Sequence, residues 1–469
     1  MSQLGEARGY TNDPHRPRYH FMPPANWMND PNGPIHWKGR YHLFYQHNPI
    51  SPSVGPMHWG HAESEDLVNW RHLPIALSPT PDGPDKDGCW TGCAVDNSGT
   101  PALIYTGVHP EVQCIAVGSD DMLTWTKHPG NPVIAGPPPG LDVTGFRDPC
   151  VWREADAWYM ALGSGIKGQG GAVFLYRSPD LVHWEFLHPL LLGNKDETGE
   201  MWECPDFFML DGRHVLLVSV LGTTLYFIGR YEDLRFTPDV QGNTDFGGHF
   251  YAAKGFEDAS GRRILWGWIW ESRAEEAVKQ AGWAGVMSLP RVLTVDHGTT
   301  LCMAPAPELE KLRREHIHLT NVALKPDHDF LVQDADGDAL ELSAEIDPGD
   351  AQQVSIKVRC APDGSEETAI IYKAAEGWIG IDRSRSSLDE DTVRDVRGGK
   401  LDLRPGERLR LRVFLDRSVV EVFANGRACL TSRIYPTRSD SQCLRLSSKG
   451  GRSELLSLDV WRMDDARIG

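Results

Sequence analysis

Apolar and polar positions alternate along this chain in short, strand-sized runs. Tyr41–Tyr45, Ala102–Tyr105, Trp158–Leu162, Ala172–Tyr176, Val215–Val220 and Ile264–Trp268 are rich in β-branched and aromatic residues and bounded by Gly, Pro, Asn or Asp. That pattern predicts strands joined by tight turns. A second pattern overlies the first. Ser64-Glu65-Asp66-Leu67-Val68-Asn69-Trp70 recurs as Ser119-Asp120-Asp121-Met122-Leu123-Thr124-Trp125 and as Ser178-Pro179-Asp180-Leu181-Val182-His183-Trp184, with a fainter copy at Tyr231–Phe236. The aromatic ends lie 55, 59 and 52 residues apart. Self-similarity at that period predicts four-stranded units set in a ring. About 300 residues divided by about 55 gives five units, and a closed ring removes most free sheet edges and leaves a central funnel.

The pattern changes near residue 304. Ala304–His316 (APAPELEKLRREH) is Pro-punctuated and then charged, with Glu310 and Arg314 at helical spacing. Beyond it Arg410–Leu415 alternates again, and Val419–Phe423 runs into Asn425-Gly426, a strong hairpin signal. The chain is therefore expected to be all-β: a five-bladed β-propeller over 1–303, a linker with a short helix over 304–322, and a β-sandwich over 323–469. Fourteen of the sixteen tryptophans lie between Trp27 and Trp283, which also divides the chain.

Composition narrows the function. At 469 residues two domains are the default. A net charge of −18 argues against nucleic acid or an anionic membrane as partner. The first residues carry no apolar signal-peptide core, and no run is long enough to span a bilayer. Nine scattered cysteines without a CxxC pair suit a reducing cytosol, so a cytoplasmic protein is expected.

Three carboxylates stand in unusual settings. Asp30 lies in Trp27-Met28-Asn29-Asp30-Pro31-Asn32-Gly33, where Pro31 pushes it toward an extended or turn conformation. It could be a nucleophile, a metal ligand or a turn cap. Asp148 lies in Gly145-Phe146-Arg147-Asp148-Pro149, and Glu203 in Trp202-Glu203-Cys204-Pro205-Asp206. If each blade delivers its inner strand to one axis, the three converge on the funnel. Two such carboxylates suit glycoside hydrolysis, one ionised and one protonated. Glu203, between Trp202 and Cys204, suits the acid; Asp30, among amides, suits the anion. Other motifs read as structural. Pro84–Gly88 (PDKDG) lacks the remaining ligands of a calcium loop and reads as a solvated turn. The eighteen histidines show no HExxH and no tight cluster, and His58 and His61 read as structural. Gly163–Gly171 has no phosphate-loop pattern and reads as a hairpin.

WMNDPNG, FRDP and WECPD, in that order, resemble glycoside hydrolase family 32, the invertases, inulinases, levanases and fructan exohydrolases. Phe44-Tyr45-Gln46, Trp59–Ala62, Trp90-Thr91-Gly92, Gly282–Arg291 and Asp416–Gly426 match as well. The resemblance implies a retaining β-fructofuranosidase acting on sucrose or short fructo-oligosaccharides without metal or cofactor. It implies that Asp30 is the nucleophile, Glu203 the acid/base, and that Asp148 with Arg147 grips fructose hydroxyls. Asn29, Gln46, Trp90 and Thr91 match pocket positions, and Asp245 matches one more loosely. Many members carry a tryptophan where this chain has Val54. Fructosyl transfer and a non-catalytic carbohydrate-binding propeller are the alternatives. The sandwich is expected to brace the propeller; a homo-oligomer formed through it and a distal substrate subsite are the alternatives.

Overall fold

The computed structural model describes residues 13–469; the first twelve, part of the segment searched for a signal peptide, lie outside the described residues. Five antiparallel sheets follow one another along the first part of the chain. Their first strands are Asn26–Trp37, Cys89–Asp96, Val143–Glu154, Glu203–Leu210 and Phe250–Glu257. Each packs against the next, and the fifth packs against the first, so the ring is closed. The chain is a five-bladed propeller followed by a β-sandwich.

The sequence repeat is a turn with a defined job. In blades 1 to 4 it joins the third strand to the outer fourth strand. The Asp66 and Asp180 carboxylates each accept two backbone N–H groups from the residues that follow, and Asp121 accepts that of Leu123. Leu67, Met122, Leu181 and Leu234 adopt positive φ values of 64°, 56°, 69° and 62°. The indole N–H of Trp70, Trp125 and Trp184 donates to the carbonyl of that left-handed residue. The repeat thus encodes an Asp-capped turn clamped by a tryptophan. Blade 5 turns instead through Asp296–Thr300 and carries no copy.

Closure is made by a short stretch late in blade 5. Trp283-Ala284 runs parallel to Asn26-Trp27, while Val286-Met287 pairs with Trp268-Ile269. Gly285 between them has φ +82°, and a Cβ there would sit 2.0 Å from the Met28 carbonyl, so only glycine fits. Asp85 corrects one sequence expectation. The PDKDG segment is a turn with Lys86 and Asp87 exposed, but its Asp85 side chain is fully buried and accepts from Tyr105 Oη (2.7 Å), Thr80 N (3.1 Å) and Lys127 Nζ.

The region expected to be a linker is mostly ordered strand. Thr300–Pro305 completes blade 5, Pro307–Leu312 is a 3₁₀ helix, and Arg313–Leu324 is an edge strand of the sandwich. Charge hides that strand in the sequence, because one face is solvated while Ile317, Leu319 and Val322 pack inward. The Glu310–Arg314 pair does not form: Glu310 meets Arg313 at 3.2 Å and Arg314 reaches Asp464. The sandwich has two six-stranded sheets around an aliphatic core. Asn425 and Gly426 both take left-handed φ values, 48° and 66°, as a tight hairpin requires.

The two domains meet through buried charge. Asp416 accepts from the backbone N–H of Arg18, Tyr19 and His20 and from His20 Nδ1 (2.8 Å). His20 Nε2 contacts Glu421 at 3.1 Å, and Glu421 also accepts from Leu289 N and Arg291 (both 2.6 Å). Burial disfavours the imidazolium, but the two carboxylates raise the His20 pKa overall. The chain's last residues return to the propeller, where Arg467 and Gly469 carbonyls accept from Trp70 and His72. Glu421→Ala leaves two buried cations short of a partner. It should lower stability by about 3 kcal/mol in urea unfolding; a loss under about 1 kcal/mol would show that this network does not hold the domains together.

Candidate active site

All five first strands are irregular at the same level of the channel. Pairing slips between Met28 and Pro31, Trp90 and Gly92, Arg147 and Cys150, Glu203 and Asp206, and Tyr251 and Lys254. A β-bulge leaves a residue out of the ladder, bends the strand and re-aims a side chain. It also admits proline, because no ladder donor is lost there. Asp30-Pro31 and Asp148-Pro149 are therefore bulges in mid-strand rather than external turns, and Cys204-Pro205 is a bulge at the start of its strand. Asp148, Cys204 and Ala252 take positive φ values of 66°, 49° and 55°.

The bulges bring three carboxylates together. Asp30 accepts from Thr91 Oγ1 (2.6 Å), Asn29 Nδ2 (3.0 Å) and Cys204 Sγ (3.4 Å). Asp148 accepts from Cys204 N (3.0 Å) and lies 3.5 Å from the Cys204 thiol, whose one hydrogen it shares with Asp30, and its own N–H donates to Thr106 Oγ1. Glu203 accepts from Arg147 Nη2 (2.8 Å) and from the Tyr251 hydroxyl. Arg147 is held on its other side by Glu111 (2.8 Å) and lies over the Trp90 ring at 5.8 Å.

Burial and mutual repulsion govern the charges. Desolvation and the nearby Glu203 push the Asp30 pKa up, against the donors Thr91, Asn29 and Cys204. Asp148 is pushed up to about 7, by burial first and then by Glu203 and Asp30, with Arg147 and Lys254 opposing. A carboxyl titrating there retains a proton near neutrality. Burial opposes the Arg147 cation, but Asp148, Glu203 and Glu111 together hold it firmly protonated. Burial also opposes the Lys254 ammonium, and the nearby Asp206 carboxylate favours it. Lys254 donates to the Pro205 carbonyl and forms a floor below the carboxylates. Beyond that floor, at the opposite mouth of the channel, a cavity of about 540 Å³ is lined by Asp96, Arg153 and Asp206 among others. It does not include the three carboxylates.

Asn29, Thr91, Trp90, Arg147, Asp148 and Glu203 thus gather with Asp30. Gln46 is buried beside them, donating to the Cys89 carbonyl at 3.0 Å. Asp245 does not join this group. It is buried at the domain boundary, bonded to Thr431 N (2.8 Å) and Arg291 (3.1 Å). Its place on a loop after blade 4 carries it outward to the sandwich. The local surroundings of Glu203 also differ from expectation. Trp202 points into the blade core and donates to Thr198, while Cys204 reaches Asp30 and Asp148. Alternation along a strand sends neighbours to opposite faces. Cys204, Tyr251, Glu111, Thr106 and Lys254 went unpredicted; an aromatic and a lysine on the inner strand of blade 5 were the available signal.

A funnel of paired carboxylates at one end of a closed propeller defines a glycoside hydrolase. The chain belongs to glycosyl hydrolase family 32: that family's N-terminal domain matches residues 20–305 and its C-terminal domain residues 308–462. It is 37% identical to a sucrose-6-phosphate hydrolase of Zymomonas mobilis subsp. mobilis, over 96% of this chain and 93% of that protein. It is 36% identical to an acid β-fructofuranosidase of Vigna radiata var. radiata, over 97% and 81%. Fructan 1-exohydrolase IIa from Cichorium intybus superposes with a TM-score of 0.91 at 31% identity, covering 97% of this chain and 98% of that one. The activity class is that of a β-fructofuranosidase.

The raised Asp148 pKa has a sign that can be tested. Its carboxyl titrates near 3.8 when exposed and about 7 in the fold, so the fold binds the extra proton between those values. Its contribution is full below the lower value and is lost as pH rises through the upper one. Asp148→Asn keeps the shape and suits the positive φ. Relative to the parent it should gain on the order of 4 kcal/mol in stability between pH 4 and pH 8, followed by thermal unfolding. A pH-independent difference would show that Asp148 is not protonated by burial.

Proposed function

We propose that the chain is a retaining β-fructofuranosidase in which Asp30 attacks the anomeric carbon of a terminal fructofuranosyl residue and Glu203 protonates the departing oxygen. The bond from carbon to the leaving oxygen breaks as the bond to the Asp30 carboxylate forms. Water then attacks the fructosyl-enzyme ester, with Glu203 taking its proton and Asp30 leaving as carboxylate. The observation that carries this assignment is the difference in exposure. The Glu203 side chain is 31% exposed, against 5% for Asp148. The group that must meet both the leaving group and water lies on the open side. Asp30 faces three donors, which suits a carboxylate that enters the reaction ionised. Asp148, buried and holding a proton near neutrality, is suited to hydrogen-bonding fructose hydroxyls beside Arg147.

Sucrose or a short fructo-oligosaccharide is the substrate this reading favours. Both cations next to the carboxylates are already engaged, Arg147 by Glu111 and Glu203 and Lys254 by the Pro205 carbonyl. Relatives named sucrose-6-phosphate hydrolase favour a second reading, hydrolysis of the phosphorylated disaccharide. Side-by-side kcat/KM on sucrose and sucrose 6-phosphate separates the two. Nine thiols without a disulfide fit the cytosolic setting expected for either.

The mouth is uneven. Connections between second and third strands lie at the same end as the carboxylates. Among the described residues, the most exposed large apolar side chains all sit there: Leu221 (81%) on blade 4, Ile50 (80%) and Val54 (72%) on blade 1. Between those blades lie Trp270, Trp268 and Trp27, with successive ring centroids 6.1 and 5.9 Å apart. Sugar rings present apolar faces to such a rim.

Asp30→Ala should lower kcat on sucrose by roughly four orders of magnitude, with the fold intact by circular dichroism. Near-normal hydrolysis would overturn the assignment. Glu203→Gln should cost about 10²- to 10⁴-fold on sucrose and far less on an aryl fructoside with a good leaving group; equal losses would remove Glu203 as the acid. Val54→Trp extends the aromatic rim and should lower KM for sucrose roughly two- to ten-fold. An unchanged KM would place the leaving group elsewhere.

A further inference from the structure

We infer that the sandwich carries a transition-metal clip formed by His316, His318 and Asp459, far from the carboxylate site in the fold's layout. In the sequence His316 and His318 form only a His-x-His pair, since the third ligand comes from a strand about 140 residues later in the chain. Alternation puts His316 and His318 on one face of the edge strand Arg313–Leu324. Its partner Ser453–Met463 places Asp459 opposite His318 and Trp461 opposite His316. His316 Nε2 lies 2.8 Å and His318 Nδ1 2.7 Å from the same oxygen, Asp459 Oδ1.

Two imidazoles aimed at one carboxylate oxygen can each donate a proton to it, or all three can turn their lone pairs to one cation. The ligand atoms already lie within 4.8 Å of one another. His316 is stacked on Trp461, with centroids 4.9 Å apart and planes 6° from parallel, which fixes the plane of one ligand in advance. Side-chain exposures of 44%, 51% and 27% leave the site reachable by a hydrated ion. Two nitrogens and one oxygen select a borderline cation such as Zn²⁺, with water completing the shell. They do not suit Ca²⁺ or Mg²⁺, which require more oxygen ligands.

The clip has a structural consequence. Arg313–Leu324 leaves the propeller directly after the 3₁₀ helix, and Ser453–Met463 leads to the tail that returns to Trp70 and His72. A metal here ties the outgoing chain to the returning chain at the open edge of a sheet. Only edge strands carry this liability, because one side of their ladder is unpaired.

The test uses the untagged full chain, isothermal titration with ZnCl₂ and thermal unfolding with ZnCl₂ or CaCl₂. One Zn²⁺ per chain should bind and raise Tm to a plateau, while Ca²⁺ should not. His318→Gln and Asp459→Asn should each weaken that binding by roughly ten-fold or more and abolish the Tm rise, leaving sucrose hydrolysis unchanged. His183→Ala, which removes a surface histidine from a different Asp pair, should behave as the parent. Zinc binding unaffected by both clip variants, or an equal Tm rise with Ca²⁺, would overturn the inference. Failure of sucrose hydrolysis in the parent would bear on the proposed activity and not on the clip.

Discussion

Ring closure is the constraint on which the rest of this structure depends. Five first strands surround one channel, each covered on both sides by its neighbours, so no inner edge is left to solvent. The last contact, between Phe250–Glu257 and Asn26–Trp37, is reinforced by a stretch shared between blades 5 and 1. Once closed, the ring sets the height and direction of every inner residue. Bulges at one common level then turn Asp30, Thr91, Asp148 and Cys204 toward each other. The polar contacts among them would have little value in a flexible loop, since ordering them would cost more than they return. Here the ordering is already imposed by the blades.

The same arrangement explains the electrostatics. Three carboxylates with one engaged arginine and a lysine floor cannot all ionise freely in a buried space. The most enclosed of them, Asp148, holds a proton up to about pH 7. The most open, Glu203, lies where solvent and a leaving group can reach it. Cys204 links the pair below by contacting both Asp30 and Asp148. Its role is geometric, because burial and the adjacent negative charges keep the thiol protonated.

The sandwich acts on the propeller through a second buried set of charges. Asp416 and Glu421 hold His20, and Glu421 also holds Arg291, which in turn anchors Asp245. These contacts fasten the segment entering blade 1 and the last strands of blade 5, the two ends that must stay together for the ring to remain closed. Bracing and catalytic geometry are therefore linked: the C-terminal domain grips the seam of the N-terminal one. Asp245 belongs to this brace, although its sequence context suggested the sugar pocket.

Much of this was legible in the residues alone. The Asp–Leu–Trp repeat predicts the blade turns because its capping bonds are local and need no tertiary partner. The period predicts five blades, and proline after Asp30 and Asp148 marks the departure from regular backbone. The edge strand at Arg313 was hidden because charge on its solvated face masks the alternation. Asp85 was misread because its buried partners Tyr105 and Lys127 lie in later strands. The pairing of Glu111 with Arg147 and the meeting of His316 with Asp459 were likewise invisible, since each joins residues far apart in sequence, and Tyr251 gave no sign of which carboxylate it meets. What the sequence determined by itself was local: turn types, strand periodicity and the identity of three carboxylates. Which charges face one another, which one keeps a proton and which domain a buried aspartate serves were decided only by the tertiary structure, because burial and distance come into being when the ring closes.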